Sequence, residues 1–419
     1  MDYIKGFSQK AFGLLGEHLS HSFSPQIHKM LADYPYTLCE VQRDSLGDWV
    51  QNNGLCGYNV TIPYKQDIMK YCAELSPAAR SIGAVNTVVR RADGTLFGDN
   101  TDYYGFSYML RLLHMDVSGK KAIILGGGGA SKTVQAVLRE QGAQVVVVDL
   151  NLENNYDNIH LHFDAQLIVN ATPVGMYPKT GVSLVDLKDF PECMGVCDVI
   201  YNPSKTALLL QAERLGLPYV NGLPMLVAQA KRAAEIFTDS TLCDSTIEKI
   251  RASVAAETLN VVLVGMPGCG KSTVGRLAAE ALGRDFIDCD EEITRTAGRA
   301  PSEIIKEDGE AEFRRVETQV LSTLCKESGY VIATGGGAVT VEENRDIIRQ
   351  NSVVVFIERD TELLSTDDRP LSVNLPALYE KRLPMYRSFA HVCVDGNASA
   401  QAVAQRVQDA FSEAVKNEN

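Results

Sequence analysis

The sequence has no surplus of positive charge. Its 40 Lys and Arg face 53 Asp and Glu, a formal net charge of −13. A general nucleic-acid or anionic-membrane binder needs a basic face, so neither partner is expected. No CxxC pair occurs among the ten cysteines, and the one close pair, Cys193 and Cys197, has no His beside it. Scattered cysteines of this kind read as reduced thiols that fill cores, which fits a cytoplasmic protein. No stretch approaches ~18 consecutive apolar residues, and the first 20 residues hold no long apolar run, so neither membrane span nor signal peptide is expected. Internal repeats, low-complexity tracts and a Pro/Gly/Ser-rich linker are absent too. With 45% apolar and 22% charged residues, the composition is ordinary globular usage and excludes disordered, collagen-like and coiled-coil chains. A length of 419 residues then suggests two or three domains.

What is present is alternation. Short β-branched runs such as FGLLG, YTLCEV, KAIILG, QVVVVDL, QLIVNATP, VCDVIY, NVVLVG, YVIATGG and SVVVFIE are separated by helical patterns. Continuous apolar runs of this kind predict parallel sheets buried on both faces. Asp93-Gly94, between two strand-like runs, predicts a hairpin. Two glycine-rich turns, IILGGGGASK and VVLVGMPGCGKST, each open an α/β sheet, which predicts two nucleotide-binding units. The helical stretch DSTIEKIRASVAAET runs almost directly into the second unit, placing a boundary near residue 257.

In the first half, Gly126, Gly128 and Ser131 fit a GxGxx[GAS] turn whose backbone N–H groups can approach a pyrophosphate. Asp149 stands ~20 residues further on, where an acid can hold a ribose 2′-OH. Four polar segments precede this turn: SHSFSP, GYNVTIPYK, GAVNT and GDNTD. Together they suit a small polyhydroxylated acid. The hydroxyls of Ser22, Ser24 and Thr61 can hold a carboxylate, the amides of Asn59 and Asn86 ring hydroxyls, and a Lys and an Asp remain for proton transfer.

Over roughly residues 10–240 the chain resembles shikimate dehydrogenase. NVTIPYK, GAVNT and GDNTD match that family's substrate segments, as do VNATPVGM, the YNP of Tyr201–Pro203 and GLPMLVAQA. The resemblance implies Ser22 and Ser24 at the carboxylate, with Thr61, Asn86, Asp102, Tyr201 and Gln229 at the ring. Lys65 would be the acid/base, supported by Asp102. Gly126, Gly127, Gly128, Gly129, Ala130 and Gly222 would meet the dinucleotide. NADP(H) is the family default, but Asp149-Leu150-Asn151 stands where a basic 2′-phosphate clamp is usual. A carboxylate there tilts the expectation toward NAD(H). The stretch from Asn151 to Ala165 also looks shortened.

In the second half, Gly265 to Ser272 satisfies GxxxxGK[ST] between a strand and a helix. Gly268, Cys269, Gly270, Lys271, Ser272 and Thr273 would cradle ATP phosphates, with Ser272 on Mg²⁺. FIDCD places Asp288 and Asp290 at alternate positions of a predicted strand, so that both carboxylates share one cleft, one near Mg²⁺ and one near a hydroxyl proton. Arg314, Arg369 and Arg382 are candidate anion forks. Residues 259–415 resemble shikimate kinase through DxD, FRxxE, GGGA, RPL and RxPxY elements. That resemblance implies Asp290, Arg314, Gly336 and Arg382 around shikimate and Arg369 on a lid. The lid (LLSTDD) is short, and VDGNASA lacks the adenine-side Arg.

The expectation is therefore an α/β chain in three parts. Residues 1–105 form a substrate lobe, 106–257 a Rossmann-type dinucleotide lobe, and 258–419 a P-loop parallel sheet with helices on both faces, similar to nucleoside-monophosphate kinases. The implied function is reduction of 3-dehydroshikimate to shikimate followed by its ATP-dependent phosphorylation. The alternatives are one catalytically dead half, a P-loop kinase with another acceptor, and a quinate-oxidising first half using NAD.

Overall fold

The computed structural model describes residues 10–19, 22–364 and 375–417. Ser20 and His21 of the first polar segment, and Arg369 with most of the lid, lie outside the described residues.

The strands form three sheets. The first contains β1 (Phe12–Gly16), β2 (Tyr36–Glu40), β3 (Gly57–Val60), β4 (Glu74–Leu75), β5 (Thr87–Arg90) and β6 (Leu96–Asp99), in the order β2-β1-β3-β5-β6-β4. It is mixed: β5 runs antiparallel to β3 and β6, and the other pairs are parallel. The turn at Asp93-Gly94 closes the β5–β6 hairpin, with Gly94 at φ 85°. The second sheet, β7 (Lys121–Leu125), β8 (Gln144–Val148), β9 (Leu167–Asn170), β10 (Gly195–Asp198) and β11 (Tyr219–Val220), is parallel in the order β11-β10-β9-β7-β8. Only a 3₁₀ turn, Ile159–His162, lies between β8 and β9, where a crossover helix would normally cover that face.

The third sheet holds β12 (Asn260–Val264), β13 (Phe286–Asp288), β14 (Val331–Ala333), β15 (Ser352–Glu358) and β16 (Val392–Asp395), all parallel, in the order β13-β14-β12-β15-β16. Every residue of central β12 is buried, as expected of a strand covered on both faces. Here one expectation fails. The strand stops at Asp288, and Asp290 lies in the first turn of helix Cys289–Ala297. The Asp288 side chain accepts from the Asp290 N–H and caps that helix, ending the strand before the alternation can continue.

Two helices join the first two sheets. Asp102–Leu112 and Leu223–Thr238 pack face to face, and Gly105 permits this, since a β-carbon there would sit 2.7 Å from the Met225 carbonyl oxygen. Helix Ser245–Thr258 follows and leads at once into β12. Its Ile247, Ile250 and Val254 are buried in one apolar core that also holds Ile27, Tyr108, Leu223 and the third sheet. The second sheet touches the third at a polar seam. Lys205 N–H donates to the Gln350 carbonyl at 2.8 Å, Ser204 N–H to Asn351 Oδ1 at 3.3 Å, and Arg349 Nε to Glu213 Oε2 at 3.0 Å.

Burial raises the Glu213 carboxyl, but Arg349 and Lys205 outweigh it and hold the group down at about 2, below its ordinary 4.5. The stabilisation from this ionised group is complete above pH 4.5 and is lost as the pH falls toward about 2. Glu213→Gln is expected to lower unfolding free energy at pH 7 by on the order of 2–3 kcal/mol and to flatten the acid limb. Urea melts of both proteins across that range measure the difference.

Candidate active sites

A cleft of about 490 Å³ opens between the first two sheets. Its walls include Ser22, Ser24, Asn59, Thr61, Lys65, Asn86, Asp102, Ala130, Tyr201, Gly222 and Gln229, so residues from distant segments of the chain meet. Asp102 is the first residue of its helix, where a carboxylate faces the positive end of the dipole. Its Oδ2 accepts from Lys65 Nζ at 2.7 Å, and both side chains keep contact with solvent. A neighbouring network stiffens the floor. Asn86 Oδ1 accepts from Thr101 N at 2.7 Å, Asn59 Nδ2 donates to Thr87 Oγ1 at 3.0 Å, and Tyr36 OH donates to Asn59 Oδ1 at 2.8 Å. Ser22 Oγ accepts from Ser24 N at 3.2 Å, which fixes the start of helix Ser24–Leu31. Burial raises the Tyr201 phenol, so it remains a neutral donor at physiological pH. His18 lines the same cleft and carries no motif in the sequence.

Beside the cleft, the Gly126–Gly129 turn leads from β7 into helix Gly129–Glu140. Gly126 has φ 100°, and β-carbons on Gly128 and Gly129 would meet nothing, so the loop face is open to a pyrophosphate. Asp149 Oδ2 accepts from Gly127 N–H at 2.7 Å, which anchors the carboxylate at the edge where a ribose would lie. Across the opening, a β-carbon on Gly222 would overlap the Val199 carbonyl oxygen. Only glycine fits that wall.

The second site lies at the C-terminal ends of β12, β13 and β14. Lys271 Nζ donates to the carbonyls of Gly265 at 2.9 Å and Met266 at 3.0 Å, folded back over a loop shaped by Gly268 at φ 81° and Gly270 at φ 94°. Cys269 is buried beneath the loop, and Thr273 lies exposed on the helix Lys271–Leu282. Ser272 Oγ donates to Asp288 Oδ2, so the hydroxyl oxygen keeps its lone pairs for a cation. Among the described residues no cluster of three or more His, Cys, Asp or Glu side chains could hold a metal, so Mg²⁺ here would need phosphate oxygens.

Facing the loop, Arg382 Nη1 donates to the Gly336 carbonyl at 3.1 Å, and Tyr386 OH donates to the same oxygen. Arg314 lies on Gly337, where a β-carbon would displace it, and pairs with Glu317 at 2.7 Å and Glu310 at 3.1 Å. Burial raises the Glu317 carboxyl although Arg314 opposes the shift. Arg314 Nε and Glu317 Oε1 are both buried without a partner. An acidic ligand on Arg314 would supply the acceptor this group lacks. The DxD, arginine and triple-glycine segments do converge, although Asp290 comes from a helix. Glu317 and Tyr386, the closing residues of the FRxxE and RxPxY elements, act as positioning groups; the contributor with no sequence signal is Arg359, whose Nη1 is 3.6 Å from a β-carbon placed on Gly270.

Fold and sites define a dinucleotide-dependent oxidoreductase joined to a P-loop phosphotransferase. Residues 14–88 match the shikimate dehydrogenase substrate binding domain model, and residues 267–412 match the shikimate kinase model. Shikimate dehydrogenase (NADP(+)) of Clostridium perfringens (strain SM101 / Type A) is 36% identical over 266 residues, spanning 58% of this chain and 97% of the relative. A chorismate mutase/shikimate 5-dehydrogenase fusion protein from Clostridium acetobutylicum superposes with TM-score 0.55 at 36% identity, covering 58% of this chain and 96% of that one. Shikimate 5-dehydrogenase from Listeria monocytogenes, in complex with shikimate and NAD, has TM-score 0.53 at 32% identity, covering 60% and 98%. The chain belongs to the shikimate dehydrogenase family and carries a shikimate kinase domain after it. It is an enzyme of the shikimate pathway, and its domains imply NADP and ATP as nucleotides. Among the described residues no helix is long and apolar enough to cross a membrane.

Arg359→Ala should raise the KM for ATP by ~3–10-fold with kcat changed less than ~2-fold, because it removes one charge-assisted contact beside the phosphate loop. Steady-state kinase kinetics at varied ATP test this.

Proposed function

We propose that the chain carries out two consecutive reactions, reduction of 3-dehydroshikimate to shikimate and ATP-dependent phosphorylation of shikimate at its 3-hydroxyl. The observation that carries this reading is that both halves hold a complete constellation, Lys65–Asp102 in one and Lys271, Asp290, Arg314 and Arg382 in the other, and both resemblances point to one metabolite. The parts are residues 1–105, 106–257 and 258–419.

In the first cleft, Ser22 and Ser24 bind the carboxylate, and Asn59, Thr61, Asn86, Tyr201 and Gln229 orient the ring. The nicotinamide, when bound along Gly126–Ala130 and Gly222, supplies hydride. Reduction of the ketone generates an alkoxide, to which Lys65 donates a proton. Asp102 aims that ammonium, at 2.7 Å. Asp149 accepts from a free ribose 2′-OH but repels a 2′-phosphate, so NAD(H) is favoured over NADP(H). The NAD bound to the Listeria relative is compatible with that preference.

In the second site, Arg314 and Arg382 clamp the shikimate carboxylate, and Asp290 takes the proton of the accepting hydroxyl. Lys271 leaves its carbonyls to meet the phosphates, Ser272 and Asp288 would hold Mg²⁺ together with phosphate oxygens, and Arg369 neutralises charge on the transferring group. The phosphate-loop residues 268–273 hold ATP throughout.

Lys65→Met is expected to lower dehydrogenase kcat by ~10²–10⁴-fold and leave kinase turnover unchanged, and Lys271→Ala should do the reverse. A coupled assay with 3-dehydroshikimate, then ATP and Mg²⁺, reads both. If either substitution spares both activities, the assigned site is wrong. With the same substrate, NADH should give the higher kcat/KM than NADPH, and Asp149→Ser should narrow or invert that ratio. Equal use of both cofactors by the unaltered chain would remove Asp149 from the specificity argument.

A further inference from the structure

The seam between the dehydrogenase and the kinase contains a cleft of about 620 Å³ that belongs to neither active site. One wall is Lys205, Glu213, Leu217 and Tyr219; the other includes Ser352, Val353, His391 and Val392 at the starts of β15 and β16. His391 is fixed by the kinase sheet, since its Nδ1 accepts the Val354 N–H at 2.9 Å. A neutral imidazole that accepts at Nδ1 carries its proton on Nε2. Yet Nε2 lies 3.3 Å from Lys205 Nζ, which is also a donor. Two donors therefore converge with no acceptor between them.

Glu213 cannot serve both. Its Oε1 already takes Lys205 Nζ at 2.8 Å and Tyr219 OH at 3.2 Å, and its Oε2 takes Arg349 at 3.0 Å. Lys205 is 7% exposed, so water does little to relieve the arrangement. The hydroxyl of Ser352, another lining residue, is also buried with no partner. Beyond these polar groups the walls are apolar: Leu217, Pro218, Val353, Val392, Ala410 and Ala414.

We propose that this cleft binds a small organic anion with one carboxylate on an apolar body. A carboxylate oxygen entering between Lys205 Nζ and His391 Nε2 accepts from both and ends the donor–donor contact. Lys205 and Arg349, the latter reaching Glu213 from outside the lining, balance the carboxylates of Glu213 and of Glu413, which stands exposed at the rim. Inorganic phosphate or a polyhydroxylated acid would leave the apolar walls unmatched. Because the two walls come from different enzymes, the bound anion would bridge them. This inference does not depend on the substrates proposed above.

The probe is 3-(4-fluorophenyl)propanoate, titrated into the full chain by ¹⁹F NMR with shikimate and ATP present. Saturable binding at or below about 1 mM is expected. Lys205→Met should weaken it at least ~10-fold. Ala414→Trp, which fills the cleft and keeps every polar group, should do the same and stands in if the Lys205 variant fails to fold. Ser22→Ala and Arg314→Ala, which alter the two active sites, should leave binding unchanged. No saturation up to about 10 mM, or equal affinity in Ala414→Trp, overturns the proposal. Loss of binding in Ser22→Ala or Arg314→Ala overturns it as well, because the probe then occupies a catalytic cleft.

Discussion

The close approach of helices Asp102–Leu112 and Leu223–Thr238 is the constraint on which the first active site depends. One helix delivers Asp102 and the other Gln229, and the segment just before the second ends at Gly222. At Gly105 the helix meets the Met225 carbonyl with no room for a side chain. Lys65, from the substrate lobe, pairs with Asp102 at the start of the helix that leaves that lobe. The spacing of those helices sets how far Gln229 stands from Asp102 across the cleft.

What could be read from the chain follows the range of the interactions concerned. The phosphate loop and the Gly126 turn are local, so their glycines and Lys271 announce themselves. Lys65 and Asp102 are separated by a hairpin; the polar segments offer a Lys and an Asp for proton transfer, and the family resemblance assigns these two to each other. The alternation in FIDCD predicts a strand through Asp290. The Asp288 side chain turned that alternation into a helix start, a choice made by one capping hydrogen bond. Arg359 sits in an ordinary-looking segment, and its role comes from Gly270, far away in sequence. The seam at Lys205, Glu213, Arg349 and His391 has no motif at all. Such residues are polar groups whose partners exist only after two domains dock.

The charge distribution fits the same picture. A chain with net charge −13 must gather cations where anionic ligands bind. Arg314 and Arg382 do so in the kinase site, each largely buried and held by a carboxylate or a carbonyl. Lys271 is parked on loop carbonyls. Enclosing these cations shields them from the acidic exterior, so the ligand meets a local field opposite in sign to the bulk.

The polar seam fixes which end of the kinase sheet is occupied. In a parallel sheet every strand points the same way. Gln350, Asn351 and Ser352 sit where the strands begin, and the phosphate loop sits where they finish. The dehydrogenase is thus bolted to the end of the sheet that does no chemistry, and the kinase mouth opens away from it. Joining the two domains in one chain fixes their stoichiometry.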